Sequence, residues 1–327
     1  MITLETTCRR WFSLLAWLPC LLLMSCVPSQ GSVPLVIGIN SWPGYEFARL
    51  AREKGYYQDE GVQVKLVELP SLSDSRRAYE RGQLDGMFST VVEVLQAKQH
   101  GERQPVIAWV TDYSNGADVV LSVPSIKSVR GLRGARVGLE LGSLNTYLLA
   151  RSLDTVGLSL TDVTLVNLAS TELATAVRSG EVDAVVTYPP MSLELEKSLR
   201  MRPLFSSAEI PGEVLDVLSF DATVLAQRQA DVRAMLRAYV RAAQYARDHP
   251  DEAYRIMATQ AGLSVEEFKQ AIEGGIELVY AKDQHQFFAA NGPLEQAVAF
   301  TSKVLNDTRQ LSAPVLAAGL LRSPGTL

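Results

Sequence analysis

The sequence predicts an α/β protein of two similar lobes followed by a helical tail. Three observations carry this: a repeat at near-constant spacing, strands alternating with helices inside each copy, and a change to helical periodicity after Ala226. "GQLDGMFST" (Gly82 to Thr90) matches "GEVDAVVTY" (Gly180 to Tyr188) at an offset of 98. "VQVKLVELPS" (Val62 to Ser71) matches "VTLVNLAS" (Val163 to Ser170) at 99, and "LVIGIN" matches "ARVGLE" through Gly38 and Gly138 at 100.

Taken in order, the first 25 residues stand outside the expected fold. Arg9-Arg10 precede an apolar stretch, Trp11 to Leu23, which is too short for a spanning helix and is followed by "LMSC". A basic start, a short apolar run and small residues describe a secretory signal over residues 1–25. Leu-x-Ser-Cys also resembles the lipobox of bacterial lipoproteins, which makes Cys26 the candidate acylated residue. Residues 26–34 are small, polar and Pro-containing, a tether. Cleavage before Cys26 removes Glu5, Arg9 and Arg10, moving the net charge from −5 to −6, and takes Cys8 and Cys20 with it. Cys26 is then the sole cysteine, so no disulfide, thiol nucleophile or cysteine metal site is expected. His100, His249 and His285 fit no ligand spacing, so no metal and no cofactor is expected.

The chain has 327 residues, 47% hydrophobic and 20% charged, an ordinary globular composition long enough for a real core. Acidic balance without a basic run argues against nucleic acid or an anionic membrane surface as a partner; contact with a membrane is expected through the lipid anchor only.

Each copy reads as apolar strand, turn, helix, second strand, second helix and third strand. The first helices are expected at Phe47 to Lys54 and Tyr147 to Val156. The second helices, "SDSRRAYERG" and "STELATAVRSG", close on Gly82 and Gly180, which suit the left-handed C′ position. Such βαβ units build mostly parallel sheets and place ligands at the strands' carboxyl ends. Those ends carry Asn40, Ser41 and Trp42, then Ser71, Ser73 and Asp74, then Ser89 and Thr90. In the second copy they carry Gly142, Ser143 and Asn145, then Thr171, then Thr187 and Tyr188. Trp42 and Tyr45 stand where a chain ordinarily meets water, so they are candidate pocket walls, although Tyr45 also suits a staple of the helix start. Ser71, Ser73, Asp74, Ser143 and Thr171 suit helix N-caps, and the same geometry offers free N–H groups to an anion. Asp85 and Asp183 sit at the amino ends of their strands, where loop hydrogen bonding is the expected role.

"VIAWVTDYSNGADVVLSV" (Val106 to Val123) is the expected crossing between lobes, with Gly116 as hinge and Asn115 and Asp118 as candidate ligand contacts. "VLDVLSFDATVLA" (Val214 to Ala226) is the expected return. Residues 35–115 and 221–327 then form lobe 1, and residues 116–220 lobe 2. The tail spaces apolar residues at three and four from Val232 to Ala246. Pro250 suits a first helical turn, Ser264 with Glu267 a capping box, and Asn291 to Leu305 another amphipathic helix.

"IGINSWPGYEFARLAREKGYYQDEGVQVKLVELPSLSD", "RGQLDGMFST", "DYSNGADVVL" and "GARVGLELGSLNTYLLARSL" resemble the substrate-binding proteins of nitrate/sulfonate/taurine-type ABC importers, a group that includes thiamine-pyrimidine-precursor binding proteins. The resemblance implies a type II periplasmic-binding fold, hinge closure on a small-molecule solute, and permease and ATPase subunits as partners. It implies an exported, monomeric, non-catalytic lipoprotein held to the membrane and facing the periplasm or cell exterior. It places ligand loops at Asn40-Ser41-Trp42, Ser71 to Asp74, Ser89-Thr90, Ser114 to Gly116, Gly142-Ser143 and Thr187-Tyr188. "TYPP" (Thr187 to Pro190) departs from relatives that carry an acidic residue before the proline. Cations are scarce at the strand ends, which favours a small organic solute with a planar or amine-bearing part and leaves sulfonate open. A sensor signalling to a membrane partner and an enzyme of thiamine-pyrimidine synthesis are the alternatives.

Overall fold

The computed structural model describes residues 33–327, apart from residue 101 and the side chain of residue 100. The export signal at 1–25, Cys26 and the tether as far as residue 32 lie outside the described residues. His249 and His285 are both exposed.

The apolar run before Asn40 forms β1 (Leu35–Ile39), and the aromatic turn leads into α1 (Glu46–Glu53) and α2 (Tyr56–Asp59). Then come β2 (Val64–Glu68), α3 (Leu72–Glu80), β3 (Gly86–Thr90), α4 (Val91–His100) and β4 (Pro105–Ser114). The second lobe runs β5 (Val119–Ser122), β6 (Arg136–Leu139), α5 (Leu144–Asp154), β7 (Thr164–Asn167), α6 (Leu173–Arg178), β8 (Ala184–Thr187), α7 (Met191–Leu199) and β9 (Arg202–Ser206). The return is β10 (Leu215–Asp221), continuing into α8 (Ala222–Gln227) and α9 (Gln229–Asp248). α10 (Pro250–Ala261), α11 (Val265–Gly275), β11 (Ile276–Leu278), α12 (Gln284–Phe287) and α13 (Pro293–Asp307) complete the tail. Pro250 opens α10, and the Ser264–Glu267 capping box opens α11. Among the described residues no helix is long and apolar enough to cross a membrane.

The strands form two sheets, ordered β11-β4-β10-β3-β1-β2 and β7-β6-β8-β5-β9. Within each βαβ core the pairing is parallel: β1 with β2 and β3, β6 with β7 and β8. The crossing strands change that character. β10 pairs antiparallel with β3 and β4, and β5 antiparallel with β8 and β9, because they carry the chain through the sheet in the opposite sense. The sheets are therefore mixed rather than mostly parallel. β10 belongs to the first sheet, so the return falls between β9 and Leu215, ahead of the expected boundary at residue 221. Its apolar alternation alone does not say which sheet it joins.

The repeat has a physical meaning at the far end of each lobe. Asp85 Oδ2 accepts from the Val36 N–H at 2.8 Å, and Asp183 Oδ2 accepts from the Arg136 N–H at 2.9 Å. The Asp85 and Asp183 N–H groups donate back to the Val36 and Arg136 carbonyls at 2.7 and 2.8 Å. Each aspartate thus clamps the entry of the middle strand of its parallel βαβ core, β1 or β6. Gly38 and Gly138 repeat for a packing reason: a Cβ at Gly38 would stand 2.6 Å from Leu84 Cδ1, and one at Gly138 3.0 Å from Leu168 Cδ1. Gly82 and Gly180 adopt φ of +74° and +71°, the left-handed closure expected of them.

The two crossings are fastened side by side. The Ser114 and Ser207 hydroxyls share a 2.7 Å hydrogen bond, the Gly116 N–H donates to Ser207 Oγ at 2.7 Å, and the Ser207 N–H donates to the Asp118 carbonyl at 2.9 Å. In the tail, α9 buries Val232, Met235, Leu236, Tyr239, Ala242 and Ala246 at helical spacing, and the Tyr239 ring packs on Phe47, Phe88 and Trp109.

Asp85→Ala removes the acceptor of a part-buried strand N–H and is expected to cost about 1–3 kcal/mol. Urea unfolding checks it: the midpoint falls while the slope stays unchanged.

Candidate functional site

A small cavity, about 10 Å³ and so room for one water-sized sphere, lies where the strand ends of the two lobes meet. The first lobe contributes Asn40 beyond β1, Trp42 and Tyr45 in the following turn, and Thr90 at the end of β3. The first crossing contributes Asp118, and the second lobe contributes Tyr188 beyond β8. Leu72, Leu144 and Asp216 complete the lining.

Trp42 is fixed by both its neighbours and its polar edge. Its indole Nε1 donates to Asp112 Oδ1 at 2.9 Å, and its ring meets that of Tyr188 edge-on at 5.8 Å. Gly44 makes this possible, because a Cβ there would stand 2.4 Å from Asp112 Oδ2 and 2.6 Å from Trp42 Nε1. Only glycine lets the turn, the indole and the carboxylate share that space. The Tyr45 hydroxyl donates to Asp216, and Asn40 Nδ2 bonds the Tyr188 hydroxyl across the lobes at 3.0 Å.

Carboxylates dominate the electrostatics. Asp118 is 1% exposed and neither of its oxygens has a hydrogen-bond partner. Burial lifts its pKa to about 7; the Ser114 hydroxyl opposes the rise, while the Asp112 and Glu93 carboxylates add to it. Asp112 and Asp216 face one another in register on β4 and β10, and burial raises both well above the ordinary carboxylate range. No Lys, Arg or His lines the cavity. Among the described residues no three His, Cys, Asp or Glu side chains converge in a way that could hold a metal ion.

The helix starts at the cleft already have acceptors, each supplied by the opposite lobe. The Ser73 N–H of α3 donates to Glu140 Oε1 at 2.8 Å, and the Ser73 hydroxyl bonds the same oxygen. The Leu144 N–H of α5 donates to Glu93 Oε1 at 2.8 Å, while Thr90 donates to the other oxygen of Glu93 through its N–H and hydroxyl.

Of the residues expected at a site, Asn40, Trp42, Tyr45, Thr90, Asp118 and Tyr188 come together around the cavity. The rest stand off its wall. Ser41, Asn115 and Thr171 are exposed, and Asn115 donates to Glu277. Ser71 caps α3 and bonds Asp74, which pairs with Arg77. Ser89 and Thr187 are buried within their strands. The Gly142 N–H donates to Thr146, Ser143 caps α5, and Asn145 donates to the Val186 carbonyl. Capping accounts for Ser71 and Ser143, and strand burial for Ser89 and Thr187.

Asp112, Asp216, Glu93 and Glu140 were not among the expected site residues. A signal for the first two exists: each is a lone acid inside an apolar strand, "WVTDYS" and "VLDVLSF". Glu140 follows a strand at its carboxyl end, where a cleft residue is expected, whereas Glu93 offers no such signal because its partner lies across the cleft.

Residues 43–253 match the sequence family described as NMT1/THI5 like. The chain is 27% identical over 250 residues to a Haemophilus influenzae protein named for thiamine biosynthesis, covering 71% of this chain and 75% of that one. It is 30% identical over 217 residues to a Bacillus subtilis protein named for binding aliphatic sulfonates, covering 62% of this chain and 63% of that one. Its fold matches that of the alkanesulfonate-binding protein SsuA from Xanthomonas axonopodis pv. citri bound to MOPS, with a TM-score of 0.74 at 18% identity, over 89% of this chain and 98% of that one. That likeness establishes the type II periplasmic-binding fold.

Gly44→Ala forces a side chain against Asp112 and Trp42 and is expected to destabilise by about 1–3 kcal/mol. A lowered thermal midpoint with altered tryptophan emission checks it. A second expectation concerns pH. Asp118 titrates near 7 in the fold but near 3.9 in the unfolded chain, so the folded state holds more protons between those values and stability falls as pH rises through them. Thermal midpoints are expected to drop from about pH 5 to about pH 8, and Asp118→Asn to flatten the slope.

Proposed function

We propose a role that proceeds from one premise, that this chain belongs to the NMT1/THI5-like family: it is an extracytoplasmic solute-binding protein of an ABC importer. It captures a small organic solute between its lobes and delivers it to a permease energised by an ATPase subunit. Export through residues 1–25 and acylation at Cys26 would hold it at the membrane surface; both lie outside the described residues.

The observation that carries the reading is the cavity itself, whose wall is shared by both lobes and lined by three aromatic side chains and unpartnered acceptors. A solute seated there touches Asn40 and Trp42 on one side and Tyr188 on the other, so its binding energy favours the closed arrangement of the lobes. The Asn40–Tyr188, Ser73–Glu140 and Leu144–Glu93 bonds across the cleft add to that preference. A net contribution of about 1 kcal/mol for a neutral bond, and about twice that for a charged one, is the relevant scale.

The relative named for thiamine biosynthesis favours a second reading, turnover of a bound metabolite. The cavity lining, without a His, Cys or Lys nucleophile, supports capture over covalent turnover.

Native mass spectrometry of protein purified without refolding tests the role. One small solute per chain, released unchanged, is expected; release of a chemically altered product marks turnover and overturns capture. Trp42→Ala is expected to weaken binding of the retained solute about tenfold or more while leaving the fold intact, measured by calorimetry with circular dichroism as the control.

A further inference from the structure

We propose that the captured solute presents a hydrogen-bond-donating nitrogen group, a protonated amine or amidine, to the carboxylate of Asp118, and that the cleft refuses oxyanions. The proposal rests on the capture role and adds the chemistry of what is captured.

Asp118 lines the cavity at 1% exposure, with both oxygens lacking a partner. A buried carboxylate without donors is strongly disfavoured unless something supplies them, and a cationic nitrogen is the best match. The position of Asp118 is imposed by the crossings, since its N–H donates to Ser114 Oγ at 3.2 Å and its carbonyl accepts from Ser207 at 2.9 Å. These bonds fix its backbone at the junction beside the cavity. Asn40 Oδ1 is a second buried acceptor on the same wall without a partner, its Nδ2 being engaged by the Tyr188 hydroxyl. Trp42 and Tyr188, 4% and 5% exposed, provide the aromatic walls that suit a planar or cationic group.

The surroundings point the same way. The titratable groups facing Asp118 are Asp112 on β4, Asp216 on β10, Glu93 on α4 and Tyr188 beyond β8. None is a cation. A positive solute is attracted by this set and a negative one repelled. An oxyanion would need the helix starts of α3 and α5, but Glu140 and Glu93 hold those N–H groups. It would have to displace a carboxylate of the protein itself.

Calorimetry on the full chain, with and without Asp118→Asn, tests this with four probes: benzamidine and phenethylamine as nitrogen bases, benzenesulfonate and MOPS as oxyanions. Binding of a nitrogen base, weakened at least about tenfold by Asp118→Asn, is expected, with neither oxyanion bound. Benzamidine is expected to bind up to about tenfold more tightly at pH 8 than at pH 6 as Asp118 ionises, and the variant to lose that dependence. Asp118→Asn conserves shape, and an undiminished thermal midpoint shows that it is folded. Oxyanion binding with both bases silent, or a base bound equally well by the variant, overturns the proposal and leaves capture standing. If all four probes are silent, the solute retained by natively purified protein decides: a basic nitrogen upholds the proposal and its lack ends it. No retained solute ends both readings.

Discussion

A helix that begins at a cleft brings N–H groups that its own turns cannot satisfy, and closing the cleft would bury them. Here the lobes answer each other. Glu140, reached by the end of β6, takes the start of α3, and Glu93 on α4 takes the start of α5. The exchange is reciprocal, so neither lobe presents a complete wall alone. The cavity, its aromatic sides and its acidic floor all presuppose this pairing, because it sets how closely the strand ends approach. It also spends the anion-binding potential that such helix starts carry, which leaves the recognition chemistry to the acceptors around Asp118.

The acids are the costly part of this design. Asp112 and Asp216 are held opposite one another by strand register, and the backbone of Asp118 is held by the Ser114 hydroxyl at the crossings, so all three carboxylates lie buried in one neighbourhood. Burial raises the pKa of all three carboxylates, the charge of Asp112 adds to the rise at Asp118 and Asp216, and the fold is weakened at neutral pH. A core selected for stability alone would replace them with apolar groups of the same size. Their presence at the meeting of both lobes is a concession of stability to binding, of the kind expected at functional sites.

Much of this was legible in the sequence. The repeat located both βαβ cores, because each copy needs the same strand-entry clamp at Asp85 or Asp183, the same close approach at Gly38 or Gly138, and the same closure at Gly82 or Gly180. Trp42 stood out as a bulky residue at a strand end, and Asp118 as an acid at the crossing. The remainder was hidden because it depends on long-range pairing. Asp216 comes beside Thr90 and Asp112 only once β10 has chosen the first sheet. Serines and threonines at strand ends suit either a cap or a ligand, and Ser71 and Ser143 serve as caps. Glu140 stands at a strand end in the sequence, but its partner on α3, like that of Glu93 on α5, emerges only once the opposite lobe is in place.

The junction at Ser114, Gly116 and Ser207 has a mechanical corollary. Two ribbons fastened along their length resist being bent independently, and they yield most easily by twisting together about their common axis. Relative displacement of the lobes is therefore channelled into one soft coordinate, while shear and separation meet stiff resistance.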